Sequence, residues 1–98
     1  MRILGIDPGL QCTGFGVIDV ERGKLTFVDC GVITTPAKQP MGRRLATIAK
    51  DLRAVLKQHK PAVVAVEELF FAKNVTNAIS VGQARGVVIL CAQEAGAK

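Results

Sequence analysis

Apolar positions fall into six blocks along the chain, and their spacing changes character twice. Arg2–Asp7 (RILGID) is a short apolar run stopped by Pro8-Gly9 and reads as a buried strand. Beyond a turn containing Gly and Thr, Phe15–Val20 (FGVIDV) reads as a second strand. Arg22-Gly23 then turns the chain into Lys24–Thr34 (KLTFVDCGVIT), which alternates as a third strand does. Connections this short make the three an antiparallel meander. Thr35–Pro40, with two prolines, reads as a loop. From Met41 to His59 the period becomes helical. At roughly 100° per residue, Met41, Leu45, Ile48, Leu52, Val55 and Leu56 share one stripe, with Arg43, Lys50 and Lys57 opposite. Pro61 marks the exit. Ala62–Glu68 (AVVAVEE) is an unbroken apolar run ending in two carboxylates, the pattern of a central strand covered on both faces and paired in parallel. A second helix spans about Thr76–Ala95, with Asn74, Thr76 or Asn77 as its cap and Gly96 as its stop.

The order is therefore βββαβα, an α/β arrangement in one domain with no repeat and no linker. The fourth strand can lie parallel to the first, because a helical crossover separates them. The second helix is apolar most of the way round, so it needs cover on two sides. The sheet supplies one. The other is either more of the same chain or a second subunit, and Gly82 and Gly86, four residues apart, permit close backbone approach.

Composition narrows the class. With 49% apolar and 21% charged residues the 98-residue chain is globular, and with no Trp or Tyr and four Phe its core is aliphatic. No apolar run approaches the roughly 18 residues of a membrane span, and no secretory signal is visible in the first 20 positions. Three separated cysteines and one histidine argue against a zinc set or a disulfide framework and fit a reducing cytoplasm best. A net charge of +5 suits a polyanionic partner without identifying one.

Candidate chemistry sits at two strand ends. Asp7 ends the first strand, and Glu67 and Glu68 end the fourth. If those strands are parallel neighbours, about 4.8 Å apart, Asp7 and one Glu share an edge. Two carboxylates there repel unless protonated or bridged by a cation. An oxygen-only set favours Mg²⁺ or Mn²⁺, and two such ions about 3.5–4 Å apart activate water and hold the leaving oxygen in phosphodiester hydrolysis. The plainer alternative is that Asp-Pro-Gly opens a turn and Glu67-Glu68 simply reaches water. Asp19 and Asp29 are poorer candidates, Asp19 because it falls at the opposite edge from Asp7. Phe70, Phe71, Lys73 and Asn74 follow the carboxylates. An aromatic beside a cation suits stacking on an unpaired base and contact with a phosphate, unless the rings pack under the second helix.

Ile3–Gly9 (ILGIDPG), the strand Ala65–Glu67 leading into Phe70–Asn74, and Val81–Gly86 (VGQARG) together resemble the RuvC family of bacterial Holliday-junction resolvases. The resemblance runs along essentially the whole chain. It implies a ribonuclease H-like mixed sheet ordered 3-2-1-4 and a homodimeric, Mg²⁺-dependent endonuclease, with Mn²⁺ as a substitute, that nicks opposed strands of a four-way junction in recombination and repair. Motif positions then match Asp7 and Glu67 to metal-binding catalytic carboxylates, Phe70 to an aromatic that stacks at the opened crossover, and Lys73 to a basic DNA-contacting position. The apolar second helix with Gly82 and Gly86 corresponds to the dimer contact, and branch-migration motors become expected partners.

The family's domain continues through a fifth strand and helices bearing further acidic and basic residues, whereas this chain stops at Lys98. Residues 1–98 are therefore expected to be one nuclease domain truncated at its C-terminal side, with both helices on one face of the sheet, the other face bare, and no normal cutting activity alone. Two other readings stay open. One is a non-catalytic junction-binding or assembly module. The other is a fragment of an actin-like ATPase, whose first strand and Gly-rich turn are similar.

Overall fold

A computed structural model describes residues 1–67 and 75–97. Its elements run β1 (Arg2–Asp7), β2 (Cys12–Glu21), β3 (Lys24–Thr34), α1 (Met41–His59), β4 (Val63–Val66) and α2 (Val75–Glu94). The four strands form one sheet in the order β3-β2-β1-β4, as expected. β1 pairs antiparallel with β2 and parallel with β4, and β2 pairs antiparallel with β3. Arg22 and Gly23, both at positive φ, make the two-residue β2–β3 turn, a twist that Gly accepts without a Cβ penalty.

Two strand lengths differ from the sequence expectation. β2 begins at Cys12 rather than Phe15, because Gly14 and Gly16 are held by ladders on both sides despite their low strand propensity. β4 is four residues long and is an edge strand among those described, not a central one covered on both faces; Ala65 is exposed on its open side.

The core lies on one face only. Leu4, Ile6, Val17, Ile33 and Val64 share the parity that points toward Ile48, Leu52 and Leu56 of α1 and Ala84, Val88 and Cys91 of α2. Both helices thus cover the same side. The opposite side carries Leu25, Phe27 and Val32, which are 66%, 70% and 62% exposed. Among the described residues no helix is long and apolar enough to cross a membrane.

Each helix ends where its sequence dictates. Lys60 takes a left-handed conformation and donates its N–H to the Leu56 carbonyl, after which Pro61 forbids continuation. Gly96 stands at positive φ, and Ala97 donates back to Ala92, a glycine stop for α2. Asn74, the first cap candidate for α2, lies outside the described residues, as do the side chains of Thr76 and Asn77. On α2, Ala78, Ala84, Val88 and Cys91 are buried, while Ile79, Gly86, Ile89 and Leu90 are exposed. Among the described residues the helix therefore keeps an uncovered apolar side.

Candidate active site

The site is built by the parallel ladder. Ile6 stands in register with Val66, and the Glu67 N–H donates to the Ile6 carbonyl at 3.0 Å. The next residues, Asp7 and Glu67, are therefore neighbours at the carboxyl edge of the sheet, and both are exposed. By strand alternation they project on the side away from the helices, with Gly5, Gly16 and Ala65 forming the floor beneath them. On its other flank Asp7 faces Gly14, where a Cβ would meet no atom of the described residues within 4 Å.

Their electrostatics follow from proximity. A hydrogen bond with Asp7, the charge of Asp7 and partial desolvation together push the Glu67 carboxyl above its ordinary value. That upward shift is the mark of repulsion between the two carboxylates. A divalent cation held between them would remove the repulsion. Among the described residues no third His, Cys, Asp or Glu joins them, so the donor set in hand is two carboxylates. That set suits a hard, oxygen-seeking cation such as Mg²⁺ or Mn²⁺ and is too small to enclose two ions by itself.

The turn after Asp7 is tightly specified. A Cβ on Gly9 would stand 2.3 Å from the Cys12 carbonyl oxygen, so only glycine fits. The buried Thr13 hydroxyl donates to the Gly9 carbonyl at 2.6 Å and accepts the Gly9 N–H at 3.3 Å. In the sequence Thr13 falls in a turn; its hydroxyl is buried because β2 starts at Cys12. Arg85 carries no role in the sequence pattern beyond its place in the second helix. From α2 its Nε donates to the Glu67 carbonyl at 3.3 Å, placing a guanidinium beside the carboxylate edge, and its position inside VGQARG was the signal available.

Asp19 lies at the far rim, as expected, whereas Asp29 stands mid-strand on β3 in register with Val17. Asp19 stands opposite Arg2 and accepts from its Nε and Nη2 at 2.9 and 3.0 Å, a pairing that holds its carboxyl below the ordinary value. Asp29 is bonded to His59 at 2.9 Å, so the single histidine closes the end of α1 onto β3. A cleft of about 670 Å³ also lies at that rim, lined by Arg53, Lys57, Lys60 and Cys91 among others, remote from Asp7 and Glu67. Phe70, Lys73 and Glu68 lie outside the described residues. Gly82 is half-buried and Gly86 exposed on α2.

Comparison with known proteins agrees with this geometry. The family model for the crossover junction endodeoxyribonuclease RuvC matches residues 3–98. A RuvC from Chloroflexus aurantiacus is 48% identical over 96 residues, covering 98% of this chain and 58% of the relative. The structure of Thermus thermophilus RuvC in complex with a Holliday junction substrate superposes with a TM-score of 0.91 at 37% identity, covering 98% of this chain and 59% of that one. An Aquifex aeolicus PPX-GPPA enzyme, at 18% identity and a TM-score of 0.55 over 98% of this chain and 33% of its own, shares the fold alone. The chain thus spans a little under three fifths of the RuvC proteins it matches. With a family match over nearly its whole length and the sheet order that family carries, this chain belongs to the RuvC family, a ribonuclease H-like fold.

Proposed function

We propose that residues 1–98 are the amino-terminal part of a structure-selective endonuclease subunit that resolves four-way DNA junctions by Mg²⁺-dependent phosphodiester hydrolysis. The observation that carries this reading is the adjacency of Asp7 and Glu67 at one strand edge, with the Glu67 carboxyl pushed up by its neighbour. Asp7 and Glu67 are assigned as metal-binding catalytic carboxylates. Their bound Mg²⁺, or Mn²⁺ in its place, would supply Lewis-acid activation of water and charge neutralisation on the phosphate. The protein's own part is to hold the two carboxylates on a rigid ladder, to leave the Gly14 flank open to DNA, and to keep Arg85 nearby as positive charge. Phe70 and Lys73, which follow Glu67 by three and six positions, are assigned to base stacking and phosphate contact.

Two further parts of the reading rest on uncovered surface. Gly86 costs helix stability, about 1 kcal/mol relative to Ala, yet a Cβ there would meet no atom of the described residues within 4 Å. That cost is explained if Gly82 and Gly86, flanked by the exposed Ile79, Ile89 and Leu90, lie against a second copy, making the subunit a homodimer. The open sheet face with Leu25, Phe27 and Val32 is assigned to the part of the subunit beyond residue 98, which is also the source of the remaining metal ligands. The 98-residue chain alone is accordingly inactive. Cytoplasmic branch-migration motors remain the partners expected from the family.

The test is cleavage of a synthetic four-way junction by the full-length subunit in Mg²⁺, compared with Asp7→Asn. Cutting that depends on Asp7 supports the reading. Full cutting by Asp7→Asn, or by residues 1–98 alone, contradicts it.

A further inference from the structure

The turn from Asp7 to Cys12 is bonded in an unusual way. Its three successive carbonyls, at Gly9, Leu10 and Gln11, are taken in order by the Thr13 hydroxyl, the Thr35 hydroxyl and the Thr35 N–H, at 2.6, 2.5 and 3.0 Å. Thr13 and Thr35 are 0% and 3% exposed and are the two buried polar residues among those described. Arg44, in the first turn of α1, donates from Nε to the Thr35 hydroxyl at 2.9 Å, so the hydroxyl both gives and receives. Thr13 also accepts the Gly9 N–H.

A valine would fill either threonine site with the same shape and no polar atom, as Val17 and Ile33 do in the same core layer. The hydroxyls are therefore explained by what they hold, which is the backbone two to four residues after Asp7. Gly9 is already pressed against the Cys12 carbonyl, so the turn has little freedom left once those bonds form. Asp7 itself is exposed, so the order of the turn that follows it bears on where its carboxylate stands. Supports of this kind around a metal ligand are generally worth about 10–100-fold in metal affinity or activity.

We propose that Thr13 is a positioning residue for the Asp7 carboxylate, acting through the Gly9 backbone, with Thr35 and Arg44 anchoring the far side of the same turn. This rests on the metal-centre reading of Asp7 and Glu67.

The experiment measures Mn²⁺ binding to the full-length subunit by electron paramagnetic resonance, alongside metal-free junction binding and the melting temperature. Thr13→Val is expected to weaken Mn²⁺ binding about tenfold with junction affinity unchanged. Thr13→Ser, which restores the hydroxyl, is expected to stay within about twofold of wild type. Arg44→Met, at a half-buried site that perturbs packing less, is expected to weaken Mn²⁺ binding severalfold. Unchanged Mn²⁺ binding in Thr13→Val and Arg44→Met overturns the inference and leaves the metal centre standing. Equal loss in Thr13→Val and Thr13→Ser overturns it too, since packing and not the hydroxyl would then be responsible. A wild type that binds no Mn²⁺, or an Asp7→Asn that binds it normally, removes the metal centre and the inference together.

Discussion

The Glu67 N–H closes onto the Ile6 carbonyl at 3.0 Å, the last rung between β4 and β1, and this single rung sets Asp7 and Glu67 side by side. A register slip of one residue would turn one of the two carboxylates to the other face of the sheet. The chemistry proposed for this chain thus depends on strand pairing before it depends on side chains.

The raised Glu67 carboxyl gives a pH signature. In the folded chain Glu67 is held above its ordinary value by Asp7, so the folded state binds this proton more tightly than the unfolded state does. Its contribution to stability is complete below the ordinary glutamate value of about 4.3 and is lost as pH rises through the raised folded value. Melting curves in chelator are expected to show this decline, and Glu67→Gln is expected to remove it. Mg²⁺ should restore stability at neutral pH in the wild type only. Asp19 acts in the opposite sense. Arg2 holds it down, so its contribution is present above the ordinary aspartate range and fades as pH falls through its lowered value.

Gly9→Ala tests the turn directly. The added Cβ would lie 2.3 Å from the Cys12 carbonyl, an overlap with backbone that only movement of the turn can relieve. Destabilisation of about 1–3 kcal/mol in urea unfolding is expected, together with weaker divalent-ion binding. An unchanged midpoint would mean that the close approach is not maintained in solution.

Gly86 separates fold from assembly. Gly86→Ala should leave the chain folded and raise helix stability by up to about 1 kcal/mol, because a Cβ there meets no atom of the described residues within 4 Å. Gly86→Leu should leave circular dichroism unchanged while shifting full-length subunits toward monomer in light scattering. A dimer that tolerates Leu at this position places the subunit contact elsewhere.

The bare sheet face predicts behaviour peculiar to the 98-residue chain. Leu25, Phe27 and Val32 present apolar surface on one side of the meander. Phe27→Lys should reduce concentration-dependent scattering of this chain and change its stability by no more than about 0.5 kcal/mol. Scattering that persists unchanged would assign association to α2 instead.

Much of this was legible in the sequence, for identifiable reasons. The meander, the crossover and both helices follow from local periodicity, and the edge shared by Asp7 and Glu67 follows once β1 and β4 are paired in parallel. What local reading missed depended on distant contacts. β2 starts three residues early because ladders on both sides override the weak strand propensity of Gly14 and Gly16. Thr13, Thr35 and Arg44 carry no pattern of their own, and Arg85 only its place in VGQARG. Their partners lie 4 to 25 residues away along the chain and are brought close only by the fold. AVVAVEE reads as a central strand because its apolar residues do not alternate, although only Val64 and Val66 face the helices and Val63 and Ala65 lie on the other side.

Glu67→Gln in the full-length subunit bears most directly on the central claim, because it keeps shape and hydrogen-bonding capacity while removing one negative charge from the shared edge. Junction binding and Mg²⁺-dependent junction cleavage are measured on the same preparation. Binding within about twofold of wild type with cleavage reduced by at least about a hundredfold is the expected result. Cleavage at the wild-type rate would contradict the assignment of Asp7 and Glu67 as a metal-holding pair.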